Sequence, residues 1–99
     1  MGFFDREDIR FLVQAILMIE DEQECRLFLE DLLTNKELEG AAQRLEVAKQ
    51  LLSGVNYNDI SDKVGASSAT ISRVNRCVIY GNGGYETILT KMGFPKKTD

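Results

Sequence analysis

The stretch YNDISDKVGASSATISRVNR, residues 57–76, decides the fold of this chain. Ile60 and Val64 lie four residues apart, so they share one face of a short helix. Gly65 follows at once, where an abrupt helix end needs a residue that adopts positive φ at low cost. One of the next two serines can cap a second helix by accepting a backbone N–H. The stretch therefore predicts two short helices joined by a tight turn.

The second of these helices has an apolar side and a polar side. Ile71, Val74 and Val78 recur at spacings of three and four residues and point inward. The polar residues lie mostly elsewhere around the helix: Ser68, Thr70, Ser72, Arg73, Asn75 and Arg76. This layout is typical of a helix-turn-helix, whose second helix enters the major groove of DNA. A helical hairpin with a tight corner and no DNA-binding role is the alternative interpretation.

Hydroxyl and cationic side chains on this motif are candidate DNA contacts. Hydroxyls hydrogen-bond phosphates and bases, small methyl groups meet the thymine methyl, and Lys or Arg neutralises phosphates. The predicted DNA-binding residues are Asn58, Lys63, Ser68, Ala69, Thr70, Ser72, Arg73 and Arg76. Each of them alone could be a solvated surface residue. Their clustering around one turn glycine favours an interface with double-stranded DNA.

The chain composition argues against catalysis and against a metal centre. The 99 residues are 43% hydrophobic and 28% charged, which is typical of one globular domain. There is no histidine, and Cys25 and Cys77 lie far apart in the sequence. We therefore expect no structural zinc site and no Ser-His or Cys-His catalytic pair. An enzyme or an accessory subunit of one remains as an alternative class, as does a protein-interaction module without DNA binding.

The net charge of −4 is divided unevenly along the chain. Residues 1–46 contain five Lys/Arg and twelve Asp/Glu, a balance of −7. Residues 47–99 contain seven Lys/Arg and four Asp/Glu, a balance of +3. The basic surplus thus lies in the half that contains the helix-turn-helix, as attraction to phosphates requires.

The N-terminal region is apolar on nearly all sides of its first helix, predicted over residues 5–19. One stripe and the remaining faces both carry apolar residues: Ile9, Leu12, Ile16 and Ile19, then Phe11, Val13, Ala15 and Leu17. Such a helix is usually buried on several sides. A second copy of the chain would supply this cover, and a central helix of a monomeric bundle is the alternative. No apolar stretch is long enough to span a membrane and the acidic start predicts no signal peptide, so we expect a cytoplasmic protein.

The remaining segments complete an all-α fold of about six helices. Residues 21–33 predict a second helix, and Thr34 with Glu37 forms a capping box that opens a third. Asn56 with Asp59 is a cap pair at the start of the helix-turn-helix, and we expect the last four residues to be disordered. We predict one domain, 1–99, with N-terminal dimerisation helices at 5–33, a third helix at 35–53, the helix-turn-helix at 57–80 and a short last helix at 85–92.

Two stretches carry a family resemblance: LLTNKELEGAAQRLEVAKQLLSG, residues 32–54, and DISDKVGASSATISR, residues 59–73. They resemble the tryptophan-repressor superfamily and, within it, the YerC/YecD branch of small bacterial proteins. The resemblance covers about residues 30–92. It implies an intertwined all-α homodimer whose two recognition helices enter successive major grooves. It also implies a DNA-binding transcriptional regulator, most simply a repressor.

The resemblance further implies an effector site beside the recognition helix. In the family this site binds tryptophan, and the matching positions here are Leu33, Thr34, Arg44 and Arg73. Arg44 could instead pair with Glu46, Glu37 or an acidic residue of a partner chain. Arg73 could instead contact phosphate.

Two positions depart from the family pattern of this site. Val74 stands where the family has a glycine that leaves room for the ligand, and Cys77 replaces a hydrogen-bonding serine. Added bulk is poorly tolerated in a packed site, and a thiol is a weak hydrogen-bonding group. These departures argue against tryptophan, so we predict no bound cofactor and leave the identity of any effector open.

Overall fold

The computed structural model describes residues 2–98. Within this range the chain forms six α-helices and no β-strand, so the predicted all-α fold is confirmed. A short 3-10 turn, Phe3–Asp5, precedes them. The helices are α1 (Glu7–Leu17), α2 (Glu22–Leu32), α3 (Asn35–Leu52), α4 (Tyr57–Val64), α5 (Ser68–Tyr80) and α6 (Gly84–Lys91). None of these helices is long and apolar enough to cross a membrane.

Side-chain caps determine where three of the helices begin. In each, a side-chain oxygen accepts the backbone N–H three residues further on, at 2.8 Å for Asp21, 2.9 Å for Asn56 and 3.2 Å for Ser67. These bonds satisfy N–H groups that have no partner inside the helix. The predicted Asn56 cap is therefore present, and Ser67 is the serine that caps α5.

The first helix starts later than the sequence predicted. We expected it to begin at Asp5, but α1 begins at Glu7. Arg6 has an extended backbone, with φ −61° and ψ 138°, and separates the 3-10 turn from α1. The Arg6 guanidinium donates to the Asp8 carboxylate at 2.8 Å, an exposed ion pair. Periodicity alone did not reveal this break, because residues 5–8 are all charged and the apolar pattern begins only at Ile9.

The chain divides into two compact units, one up to Asn35 and one from Lys36 onward. The first unit contains α1 and α2, and none of its described residues is buried. Several large apolar side chains of α1 are instead exposed, including Phe11 at 73% and Leu17 at 71%. The single domain predicted for residues 1–99, with dimerisation helices at 5–33, stays a prediction.

The second unit has a small apolar core. Its fully buried side chains come from α3, α4, the following turn, α5 and α6: Val47, Ala48, Leu52, Ile60, Ala66, Ile71, Val74 and Leu89. Leu51, Val55, Val64, Val78 and Tyr85 pack against them. Burial of each large aliphatic side chain contributes about 1.5–3 kcal/mol. This core holds α4 and α5 on the end of α3.

Glycine turns the chain sharply at the end of α3. Gly54 has φ +84°, a conformation that side-chain-bearing residues rarely adopt. Its N–H donates to the Leu51 carbonyl and the Val55 N–H donates to the Gln50 carbonyl, both at 3.0 Å. This bond pair is the Schellman motif, which stops α3 and leads the chain into α4.

We predict that Ile60→Ala lowers the free energy of unfolding by about 2–5 kcal/mol, because it leaves a cavity at a side chain that is 0% exposed. The control is Ile79→Ala on α5, where the side chain is 59% exposed and the expected change is within about 0.5 kcal/mol. Urea unfolding of both variants measures the difference. Equal losses would contradict the core described above.

Candidate nucleic-acid interface

The turn between α4 and α5 is held by one glycine and one serine. Gly65 has φ +74° and ψ +18°, and its N–H donates to the Ser61 carbonyl at 2.9 Å. The Ser61 hydroxyl donates to the carbonyl of buried Ala66 at 3.1 Å. Sequence reasoning identified Gly65 but did not identify Ser61. A hydroxyl residue one turn before a helix-ending glycine was the available signal.

One side of α5 is buried and the opposite side is open to solvent. Ile71 and Val74 belong to the core. The exposed side carries Ala69, Ser72, Arg73 and Arg76, and we call these four residues the α5 stripe. Their spacing of three, one and three residues places them along one face of the helix. The stripe therefore presents small, hydroxyl and guanidinium groups together.

The structure places all eight predicted DNA-binding residues on α4 and α5. Asn58, Lys63 and Ser68 are exposed, as is each member of the α5 stripe. Thr70 differs because it is half-buried and its Oγ1 accepts the Ser67 hydroxyl at 3.1 Å. Its methyl and hydroxyl groups are thus partly committed to the helix cap. The assignment of these residues to DNA stays a prediction.

Charge differs between the two helices of the motif. α5 carries Arg73 and Arg76 and no carboxylate. α4 carries Lys63 together with Asp59 and Asp62. Attraction to phosphate therefore acts mainly through α5.

The predicted effector residues come from three places in the chain. Leu33 and Thr34 lie between α2 and α3, Arg44 is exposed on α3, and Arg73 belongs to the α5 stripe. The Arg44 side chain lies against Gly40, since a Cβ placed on Gly40 would be 3.3 Å from its Nη1. The effector site stays a prediction.

Val74 and Cys77, which depart from the family pattern of the effector site, have different surroundings. Val74 is 1% exposed and is part of the core, whereas Cys77 is a free and exposed cysteine. The valine side chain thus has a packing role of its own. Among the described residues, no group of three or more His, Cys, Asp or Glu side chains is placed to hold a metal ion.

Glu46 on α3 has two side-chain partners. Its Oε2 accepts Gln50 Nε2 at 3.0 Å and pairs with Lys49 Nζ at 3.2 Å. The Gln50 hydrogen bond, aided by Lys49, lowers the pKa of Glu46 from its ordinary value of 4.5, against the opposing effect of burial. Glu46 was one alternative partner for Arg44, and its bonds go to Gln50 and Lys49 instead.

Comparison with known proteins gives consistent similarities. A sequence model of the Trp repressor protein family matches residues 7–93. The uncharacterised protein YerC of Bacillus subtilis (strain 168) is 48% identical over 81 residues, covering 82% of this chain and 78% of YerC. A solved structure of a candidate Trp repressor from Staphylococcus aureus has a TM-score of 0.90 and 37% identity, covering 98% of this chain and 100% of that one.

A further solved structure, a TrpR-like protein from Eubacterium eligens ATCC 27750, has a TM-score of 0.89 and 44% identity. The match covers 95% of this chain and 97% of that one. These similarities confirm the family resemblance expected from residues 32–54 and 59–73.

We predict that Gln50→Ala raises the pKa of Glu46 towards 4.5, because it removes the largest cause of the lowered value. A folded-state pKa below the unfolded one stabilises the fold above the unfolded pKa, and this contribution is lost as pH falls through the folded pKa. The variant should therefore lose less stability on acidification. An NMR titration of the Glu46 carboxyl measures the shift, with Gln23→Ala on α2 as control. An unchanged titration in Gln50→Ala would contradict the prediction.

Proposed function

The chain belongs to the Trp repressor family, and from this premise we propose that it is a sequence-specific regulator of transcription that binds double-stranded DNA. It acts as a repressor by occupying its operator and performs no chemistry of its own. It acts in the cytoplasm. The observation that carries this proposal is the α5 stripe.

The α5 stripe suits the major groove of DNA in both shape and chemistry. Ala69 and Ser72 are small enough to let the helix backbone approach the bases, and a serine hydroxyl can bond either class of base. Arg73 and Arg76 reach further and can bind phosphate or guanine. Because Ile71 and Val74 anchor the other side of the helix, these groups stay turned away from the core.

Residues of α4 have a supporting role in the proposed complex. The first helix of a helix-turn-helix crosses the DNA backbone. Asn58 and Lys63 are exposed on α4 and would hold phosphates there. Such contacts position the protein but carry no sequence information. Specificity would come from the α5 stripe.

The regulator acts as a homodimer in this proposal, formed through the first unit. No described residue of α1 or α2 is buried, although α1 exposes Phe11, Leu17 and other large apolar side chains. Apolar surface of this kind marks an interaction site. A second copy of the chain would bury it and would supply a second recognition helix for a site with two-fold symmetry.

A protein-interaction module is the second candidate function, and two residues favour it. Ile79 and Tyr80 end α5 as exposed apolar groups, with Tyr80 83% exposed. They lie at the C-terminal end of the helix, whereas the hydroxyls and Arg73 lie nearer the N-terminal end that reads bases in this motif. DNA binding is therefore the function that the surface supports best.

We predict that Arg73→Ala weakens binding to a DNA site selected from random sequences by about 5- to 150-fold for each lost arginine contact, which corresponds to about 1–3 kcal/mol. The thermal melting curve should stay unchanged because the side chain is exposed. Gel-shift titration measures the affinity. The matched control is Lys91→Ala on α6, which removes one exposed positive charge away from the motif. Equal affinities of the two variants would rule out the assigned interface.

We predict that the protein in solution has twice the 11.2 kDa mass of one chain and that Phe11→Glu reduces this mass to that of a monomer. A buried carboxylate without a partner opposes association, because its desolvation is costly. Gln14→Glu adds the same charge to the same helix at an exposed polar position and is the control. Light scattering after size-exclusion chromatography measures the mass. A monomeric wild type would contradict the homodimer.

A further inference from the structure

The C-terminal segment beyond α6 is attached to the rest of the second unit. The Lys97 N–H donates to the Leu52 carbonyl at 2.7 Å, so the disorder predicted for residues 96–99 is wrong at Lys97. Asp99 lies outside the described residues. Leu52 is the last residue of α3, where carbonyl groups have no partner inside the helix. This segment lies outside residues 7–93, which match the family. We call residues 94–97 the C-terminal strap.

Phe94 anchors the N-terminal end of the strap. Its backbone N–H donates to the Leu89 carbonyl at 2.8 Å. The Lys49 ammonium lies over its ring, 4.9 Å from the centroid, an attractive cation–π geometry. The ring also lines a groove of about 230 Å³ with Leu45 of α3, Leu89 of α6 and Met92, which follows α6. The strap is thus attached at both ends.

The strap brings the Lys97 side chain to the corner between α3 and α4. A Cβ placed on Gly54 would lie 3.1 Å from Lys97 Cδ and 3.9 Å from its Nζ. Gly54 is two residues before Asn56, which caps α4. Within residues 2–98 no carboxylate forms an ion pair with this ammonium. Lys97 therefore brings a positive charge next to the start of the helix-turn-helix.

We propose that the C-terminal strap extends the DNA-binding surface beyond the helix-turn-helix, with Lys97 as a phosphate contact. The inference rests on the proposed DNA-binding function. The first helix of the motif crosses the DNA backbone, so a cation at the entrance to α4 lies beside the path of the phosphates. The apolar attachment of Phe94 reduces the conformational freedom that a terminal lysine would otherwise lose on binding.

Lys96 provides a matched control for this role. It is the adjacent residue, it is also exposed, and it carries the same charge. A general attraction between the basic half of the chain and DNA would involve both lysines equally. A contact fixed by the strap would involve Lys97 alone.

The test measures binding to a mixed-sequence DNA duplex over a series of salt concentrations, because a phosphate contact does not depend on the operator. Lys97→Ala should reduce the slope of log affinity against log salt by about one for each subunit, and so by about two for the proposed dimer. Lys97→Arg should retain the wild-type slope, and Lys96→Ala should change it much less than Lys97→Ala does. Equal effects of Lys96→Ala and Lys97→Ala would overturn the proposal.

A second variant tests the strap itself. Phe94→Ala removes no charge, yet it should reduce the slope as Lys97→Ala does, because it releases the lysine from the corner. The double variant should bind no more weakly than Lys97→Ala alone, since both changes remove the same contact. Additive losses would mean that Phe94 acts through the fold and would overturn the proposal. Thermal melting of each variant accompanies the binding curves.

The wild-type curve separates the two levels of inference. If the wild type does not bind the duplex at low salt, the proposed DNA-binding function fails and the phosphate contact fails with it. If the wild type binds and Lys97→Ala keeps its slope, the strap proposal alone is wrong.

Discussion

The burial of Ile71 and Val74 is the constraint on which the rest of the second unit depends. These two side chains turn one face of α5 into the core formed with α3 and α4. Because this face of the helix is packed, the residues on the opposite face point into solvent, and these residues are the α5 stripe. The positive φ of Gly65 and the Ser61 hydroxyl bond make this packing possible by joining α4 to α5 through a short turn. The α5 stripe is thus exposed because the opposite face of α5 is packed in the core.

The two units of the chain differ in burial and in charge. The second unit buries a small core and carries the basic surplus, so it can fold around α5 and attract a polyanion. The first unit buries none of its described residues and is acidic, and its apolar α1 needs cover from outside its own unit. The proposed homodimer would join these properties, because cover for α1 and a second copy of α5 would come from the same association.

Local sequence signals predicted much of the fold and the composition of the candidate site. Asn56 and Ser67 cap their helices, Gly65 ends α4, and the apolar spacing of Ile71 and Val74 identified the buried side of α5. The start of α1 was predicted wrongly because residues 5–8 are all charged, so no apolar spacing marks where the helix begins. The Gln50 and Lys49 partners of Glu46 also escaped prediction, since several neighbours on α3 could reach that carboxylate.

What the sequence by itself determined is therefore the set of helices, the Asn56 cap, the turn at Gly65 and the chemical character of α5. These features depend on residues within one or two helical turns of each other, where spacing and backbone preference are decisive. Only the tertiary structure decided which residues of α3, α4 and α6 share the core with Val74, and that residue 97 returns to the end of α3 at Leu52. These features join residues far apart in the chain. Such contacts depend on side-chain packing and on hydrogen bonds to carbonyl groups that have no partner within their helix. No local sequence pattern encodes them.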